Sequence, residues 1–367
     1  MNLELTTEQQ MLVDALTRAL AGADAERLRS VWGTDYLREE YRRIAEMGML
    51  DLTVAACDPD EPRLLEAAIL GEALGRHAAI TPLVTSVALS ATLAAAGHAD
   101  PTLATALAGG VLWSFASSEP GHRRFLVPPN TSLVDDGTHL RLSGEKRHVD
   151  FATQAEGFVV NCQGPRGAAI VAIDATAPGV VIEPGSILGG VPSGRVRFED
   201  AEPRAVLVEG DAVGPALDHA WATTLLLQAG YLVGAAQRLL ELTCAHVLER
   251  RQFGVPIGTF QSVQHHLADC KIAIDSAHLM VLHTAWLGLH PNRLALSAET
   301  KAWAAETAAD AARWAHELHG GVSVVDEHEV SLLSRRITAE SSSYGSPRQL
   351  WGIAGSAMAS SLEGVPT

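Results

Sequence analysis

Cysteine is scarce in this 367-residue chain, and its four copies, Cys57, Cys162, Cys244 and Cys270, stand far apart. No CxxC pair occurs, so the thiols read as structural residues in a reducing cytoplasm. Basic runs are missing too. Lys and Arg number 27 against 43 Asp and Glu, and the net charge of −16 argues against nucleic acid as a partner. An anionic cofactor stays open, because a local basic site can sit in an acidic protein. No apolar run approaches the roughly 20 residues that span a membrane. The opening MNLELTTEQQ has neither a basic n-region nor an apolar h-region, so the expectation is no export signal and a cytoplasmic protein. Neither a G-x-S-x-G elbow nor a strand-borne G-x-G-x-x-G occurs. His265-His266 with Cys270 lacks zinc-ligand spacing, so no metal is expected.

What is present belongs to a folded globular protein. Hydrophobic residues make up 47% and charged residues 19%, at a length that allows two or three compact regions. Thr6-Thr7-Glu8-Gln9 reads as a capping box ahead of Leu12, Leu16 and Leu20 at helical spacing. A second helix is expected from about Asp35 (Leu37, Tyr41, Ile44, Met47), a third from Pro62 to Gly75, and another apolar segment from Pro82 to Ala96. At Ala108-Gly109-Gly110 the character changes to short strands near 111–116, 140–142, 157–162, 168–173, 180–183 and 195–198. Asp136-Gly137 is a hairpin signal among them. Together they predict a small β-barrel or sandwich between helical regions.

Helix returns near Gly214, nearly unbroken from Leu225 to Arg250. Val263, Leu267, Cys270, Ile274, Ala277 and Val281 then form the seam of a bundle helix. An alanine-rich helix from Ser297 to His319 ends at Gly320-Gly321, and another covers roughly Glu327 to Ser341. The expectation is an α+β chain: helical over 1–108, β over 109–208, helical over 209–367.

Between two of those helices lies LERRQFGVPIGTFQ, Leu248 to Gln261. Arg250 and Arg251 close one helix, where cations suit the negative end of the dipole. Gly254, Pro256 and Gly258 break the periodicity, and Gln261 opens the next helix. Two guanidiniums, an amide, an aromatic ring and a loosened turn suit an anionic ligand such as a pyrophosphate. The same features also describe a basic helix end followed by an ordinary loop.

The pattern R-x-F-G-x-x-I-x-x-F-Q, here Arg250, Phe253, Gly254, Ile257, Phe260 and Gln261, resembles the flavin-binding signature of the acyl-CoA dehydrogenase family. The likeness continues through QHHLAD (Gln264 to Asp269) and ELHGG (Glu317 to Gly321), and more weakly through the whole chain. It implies a helical N-terminal domain, a middle β-barrel and a closing four-helix bundle, with FAD as cofactor and an acyl-CoA as substrate. It further implies cofactor contacts at Arg250, Gln252, Phe253, Phe260, Gln261, Gly320 and Gly321. Glu317 stands where a Gln is common, and Ser118 stands in the Ser118-Glu119-Pro120-Gly121 remnant of a T-E-P-x-x-G-S-D run.

The likeness is asymmetric. The family's base is most often a Glu in Tyr-Glu-Gly-Thr, and that position holds Tyr344 in Ser343-Tyr344-Gly345-Ser346. The other position used by some relatives holds Thr224, with Leu225 where an Arg is common. A tyrosine ionises near pH 10 and is about 0.1% ionised at pH 7, so it makes a poor base. Glu340 and Glu327, the nearest carboxylates, read as solvated helix charges. Arg123-Arg124 replaces the Gly-Ser-Asp part, and His148-Val149-Asp150 stands in place of a W-I-T triplet that packs on the flavin. This resembles the subunit without the catalytic Glu in heteromeric actinobacterial acyl-CoA dehydrogenases of the steroid side-chain type. A partner subunit then brings the Glu. Two other readings stay open: a homomeric flavoenzyme of this fold with a non-standard base or monooxygenase chemistry, and a flavin-free structural or regulatory protein.

Overall fold

The computed structural model describes residues 5–20, 41–42, 45–46, 48, 63–95, 103, 110–120, 129–288 and 290–363. The expected second helix lies largely outside them, and Cys57, Arg123 and Arg124 wholly so. In chain order the described helices are α1 (Thr7–Leu20), α2 (Leu64–Arg76), α3 (Leu83–Ala95), α4 (Val213–Glu249), α5 (Gln261–Trp286), α6 (Arg293–His319), α7 (Glu329–Ser342) and α8 (Pro347–Glu363). The strands are β1 (Trp113–Ala116), β2 (Ser132–Asp135), β3 (Leu140–Asp150), β4 (Gly157–Gly164), β5 (Gly167–Asp174), β6 (Val180–Ser186), β7 (Pro192–Ala201) and β8 (Ala205–Glu209), with the short pair β9 (Arg251–Gln252) and β10 (Val255–Pro256). The fold class is α+β, as expected. The chain divides into two compact units, one of residues 1–30, 64–79 and 225–367, the other of residues 31–63 and 80–224.

The first unit is helical. The capping box forms: Gln9 N–H donates to Thr6 Oγ1 at 3.2 Å while Gln9 Oε1 accepts from Thr6 N–H at 3.0 Å. In the C-terminal bundle α6 packs against α5, α7 and α8. Its buried row is Ser297, Lys301, Ala304, Ala308, Ala312 and Ala315, which step by three and four. On α5 the expected seam is buried at Cys270, Ile274, Ala277 and Val281, while its first two members, Val263 and Leu267, are only half-buried.

Helix α2 meets α4 through glycine. A Cβ on Gly71 would stand 2.4 Å from Leu227 O, and one on Gly75 1.9 Å from Tyr231 O. From the other side, a Cβ on Gly230 would lie 2.6 Å from Ala68 O, and one on Gly234 2.0 Å from Glu72 O. Two backbones touch where four side chains are missing. That spacing brings Tyr231 Oη to Ala79 O at 3.2 Å and His278 Nδ1 of α5 to Glu72 Oε1 at 2.5 Å.

The second unit is built on one eight-stranded sheet in the order β6-β7-β3-β2-β4-β5-β8, with β1 beside β4. Its pairs are antiparallel, except that β1 and β2 each run parallel to β4. Strands β4 and β5 are buried almost throughout, which explains their unbroken apolar runs. Asp136-Gly137 does turn β2 into β3, with Asp136 Oδ1 accepting from Thr138 and His139 N–H. Strand β3 reaches 11 residues, far past the expected 140–142, and its register shifts between Lys146 and Val149. A bulge of that kind re-aims side chains.

Candidate cofactor and active site

The first cluster is the hairpin after α4. Strands β9 and β10 pair Gln252 with Val255 and Arg251 with Pro256. Phe253 and Gly254 turn between them at φ of 52° and 84°, the double positive φ of a type I′ turn. Glycine accepts this freely, whereas phenylalanine costs on the order of 1 kcal/mol there. The ring of Phe253 is 92% exposed and meets Phe260 edge-on at 6.2 Å. Arg250 is exposed, and its guanidinium has no hydrogen-bond or ion-pair partner among the described residues. The same holds for the exposed amide of Gln261 at the start of α5. The side-chain amide of Gln252 donates to its neighbour's carbonyl, Arg251 O, at 2.9 Å.

The second cluster is the end of α6. Gly320 adopts φ 66° and ψ −149°, a region that suits only glycine, and its N–H closes the helix on His316 O. Gly320 and Gly321 are exposed, and a Cβ on either would meet nothing within 4 Å. Glu317 is exposed. Four imidazoles gather beside this end. His246 stacks on His319 at 4.1 Å, His328 lies edge-on to His319 at 5.1 Å, and His316 Nδ1 meets Ser323 Oγ at 2.9 Å. Burial, followed by His246, His328 and His316, pushes His319 down to about 4.

The third cluster is the turn between α7 and α8. Tyr344 is half-buried at φ 55°, and Gly345 follows at φ 131°. One turn back, Glu340 overturns its reading as a solvated charge: it is 6% exposed. Its carboxylate accepts from Arg336 Nη2 at 2.7 Å and Gln228 Nε2 at 3.1 Å, and Arg336 Nε reaches Tyr231 Oη at 3.0 Å. These donors make burial of the charge tolerable. Glu327 is exposed, in line with its reading. Thr224 is fully buried on α4, and its hydroxyl donates to Ala220 O at 2.7 Å.

In the sheet unit, Ser118 is half-buried, and its carbonyl accepts from Arg147 N–H at 2.8 Å. Glu119, beside it, anchors the segment. Its carboxylate takes Lys146 Nζ at 2.7 Å, Thr131 Oγ1 at 2.6 Å and Asn130 N–H at 2.6 Å, while Lys146 Nζ also donates to Asn161 Oδ1 at 2.8 Å. Burial alone would raise Glu119, but the bonds from Lys146 and Thr131 outweigh it and hold the group at about 2. Burial lowers Lys146 to about 8 against the pull of Glu119. Downstream, His148 sits at φ 53° within the irregular part of β3, and Asp150 O accepts from Ser114 Oγ.

Residues 225–357 match the family described as acyl-CoA dehydrogenase, C-terminal domain. Acyl-CoA dehydrogenase FadE28 of Mycobacterium tuberculosis is 30% identical over 275 residues, covering 71% of this chain and 75% of that one. The chain belongs to the acyl-CoA dehydrogenase family. Among solved structures, a Tcur3481-Tcur3483 steroid ACAD variant is 26% identical with a TM-score of 0.84, covering 97% of this chain and 99% of that one. The ChsE4-ChsE5 complex from Mycobacterium tuberculosis shares the fold at 22% identity and a TM-score of 0.84, over 100% of both chains.

Acyl-CoA dehydrogenases are FAD-dependent oxidoreductases acting on CH–CH groups. The residues present fit that cofactor. A free guanidinium at Arg250 and a free amide at Gln261 are donors without acceptors. The Phe253 ring is left uncovered at a strained position, and the glycine pair allows close backbone approach. Sequence reasoning missed the buried ions Lys146, Glu340 and Lys301. For Lys301 a signal existed, since it falls on the alanine stripe of α6.

Proposed function

We propose that this chain is the subunit of a heteromeric acyl-CoA dehydrogenase that completes its partner's FAD site, while the partner carries the catalytic Glu. One asymmetry carries the reading. Uncommitted cofactor donors at Arg250 and Gln261 coexist with Tyr344 and Thr224 at the two base positions. The likeness to a two-component steroid ACAD supports both the partner and a steroid side-chain acyl-CoA as substrate class. The same reading divides the chain near residues 108 and 208 and puts it in the cytoplasm.

The reaction removes a proton next to the thioester carbonyl and a hydride from the following carbon, leaving an α,β-unsaturated thioester. FAD, when bound, supplies the hydride acceptor. Arg250 and Gln261 would hold its pyrophosphate by charge-assisted and neutral hydrogen bonds. Phe253 and Phe260 would offer aromatic surface, Gln252 would add an amide, and Gly320 and Gly321 would present bare backbone. Glu317 adds a negative charge where an amide is common, so it contributes no donor. Ser118, next in sequence to the Glu119–Lys146 ion pair, would contact the flavin or the thioester. Thr224 cannot take the proton, because a neutral hydroxyl has almost no basicity near pH 7; its own proton is given to Ala220 O.

The test is to purify the chain alone and with the product of a neighbouring gene. Flavin spectra and electron-acceptor assays follow, over several acyl-CoA lengths and a steroid side-chain thioester. The chain alone is expected to show negligible turnover, and the complex to be yellow and active. Robust turnover by the chain alone would mean a homomeric flavoenzyme with another base or monooxygenase chemistry. Absence of flavin from both preparations would mean a structural or regulatory protein.

A further inference from the structure

Lys301 is fully buried, 0% exposed, in the middle of an alanine-rich helix. A buried ammonium needs partners, and this one finds them in a single place. Its Nζ donates to the carbonyl of Ser343 and, at 3.1 Å, to that of Gly345. Those carbonyls flank Tyr344 on either side. The turn between them is strained: Tyr344 lies at φ 55° and Gly345 at φ 131°. Gly345 is also tightly enclosed, since a Cβ there would stand 2.9 Å from Leu350 Cδ2. Caps fix both ends. Ser343 N–H and Oγ each donate to Ala339 O at 3.0 Å, and Ser346 N–H and Oγ each donate to Gln349 Oε1 at 3.0 Å.

Strain of this kind persists only where the surroundings over-determine it, and it gathers at sites that need one geometry. Beside the caps, Lys301 Nζ holds the carbonyls of the Ser343–Tyr344 and Gly345–Ser346 peptide units. We infer that Lys301 is a positioning residue, whose ammonium clamps the Ser343–Gly345 turn and so fixes the place of residue 344. Burial, opposed by the charge of Glu340, lowers Lys301 to about 7; charged or neutral, its Nζ carries the two protons that the two carbonyls accept. That residue 344 borders the reacting centre rests on the proposed function; the clamp itself does not.

Hydrogen exchange on the purified full chain tests it. In Lys301→Met, which fills the volume without a donor, the amides of residues 344–346 are expected to exchange at least about tenfold faster than in wild type, the loss of one charged hydrogen bond. Amides at the middle of α7, Leu332 to Ile337, are expected to stay within about threefold. Wild-type exchange at the turn would overturn the clamp, and so would equal acceleration through α7, which marks a merely structural lysine. Lys301→Gln is the second variant should the first not fold. Its shorter amide reaches one carbonyl at most, so turn exchange is expected to lie between wild type and the Met variant. Wild-type exchange in Lys301→Gln would also overturn the proposal. Flavin content and turnover of the assembled complex test the subunit reading separately, since neither enters the exchange measurement.

Discussion

Arg250 carries a charge that the chain itself does not neutralise. It follows a helix whose packing is done by Leu239 and Val247, both buried, so its guanidinium contributes little to the fold. A charged hydrogen bond to pyrophosphate is typically worth about 1.5–3 kcal/mol, or roughly 10- to 150-fold in affinity. Arg250→Ala is therefore expected to weaken FAD retention in the assembled complex by that factor. Its cost to stability should be on the order of 0.5 kcal/mol. FAD titrations of wild-type and mutant complexes beside melting curves of the apo chain separate the two effects. A large fall in melting temperature with unchanged FAD affinity would assign Arg250 a structural role. The buried ions behave differently. Glu340 and Glu119 are held by several donors each, and removal of one partner would leave an uncompensated charge inside.

Between elements, the close crossing of α2 on α4 depends on glycine at four positions. A methyl group on Gly75 would overlap the Tyr231 carbonyl at 1.9 Å, and a backbone atom cannot rotate away. Gly75→Ala is expected to cost about 3 kcal/mol or more, above the usual range for overpacking. Gly352→Ala on α8, where a Cβ meets nothing within 4 Å, should instead stabilise by about 0.5–1 kcal/mol through helix propensity. Denaturant unfolding of the pair checks both signs.

Two histidine groups on these helices have opposite pH signatures. The hydrogen bond from Glu72 raises His278 in spite of its burial. Its contribution is full below the unfolded value near pH 6.5 and is lost as pH rises through the folded value. His319 is lowered to about 4, first by burial and then by its neighbouring imidazoles. There the unfolded chain binds more protons, so stability falls as pH drops from about 6.5 toward 4. Melting curves across pH are expected to show Glu72→Gln converging with wild type above pH 6.5. His319→Phe should gain on wild type below pH 6.5. Parallel curves would remove these groups from the pH dependence.

At the scale of the molecule, the proposed function has the chain keep one half of an active site and change the other. Tyr344→Glu returns a carboxylate to the base position, but His148 and Asp150 stay in place of the flavin-packing triplet. Catalytic groups act as a unit, so the single substitution is not expected to restore full activity. Assay of the Tyr344→Glu chain alone and in its complex checks this. Ordinary family rates from that one change would show the altered half to be intact.

The LERRQFGVPIGTFQ stretch was legible in the sequence because backbone demands write themselves in residue type. Glycine marks the positive φ of Gly254 and Gly320, and the capping pair of Thr6 and Gln9 is a local bond three residues long. The bundle seam through Cys270, Ile274, Ala277 and Val281 was equally plain, since helical period and burial coincide there. Long-range pairing was not. Most of β3 carries charges whose partners lie on other strands, such as Glu145 with Arg195 at 3.8 Å, so it lacks a clean apolar alternation. Glu340 read as a solvated charge, and Lys301 and Lys146 gave no signal that was taken up, because burial of an ion is set by donors and acceptors far away in the chain. The order of residue types carried the family resemblance, helical period carried the helices, and Tyr344 carried the expectation that this chain brings no base. Only the tertiary structure decided which charges go inside, since only folding brings the Ser343 and Gly345 carbonyls to Lys301 and Arg336 to Glu340.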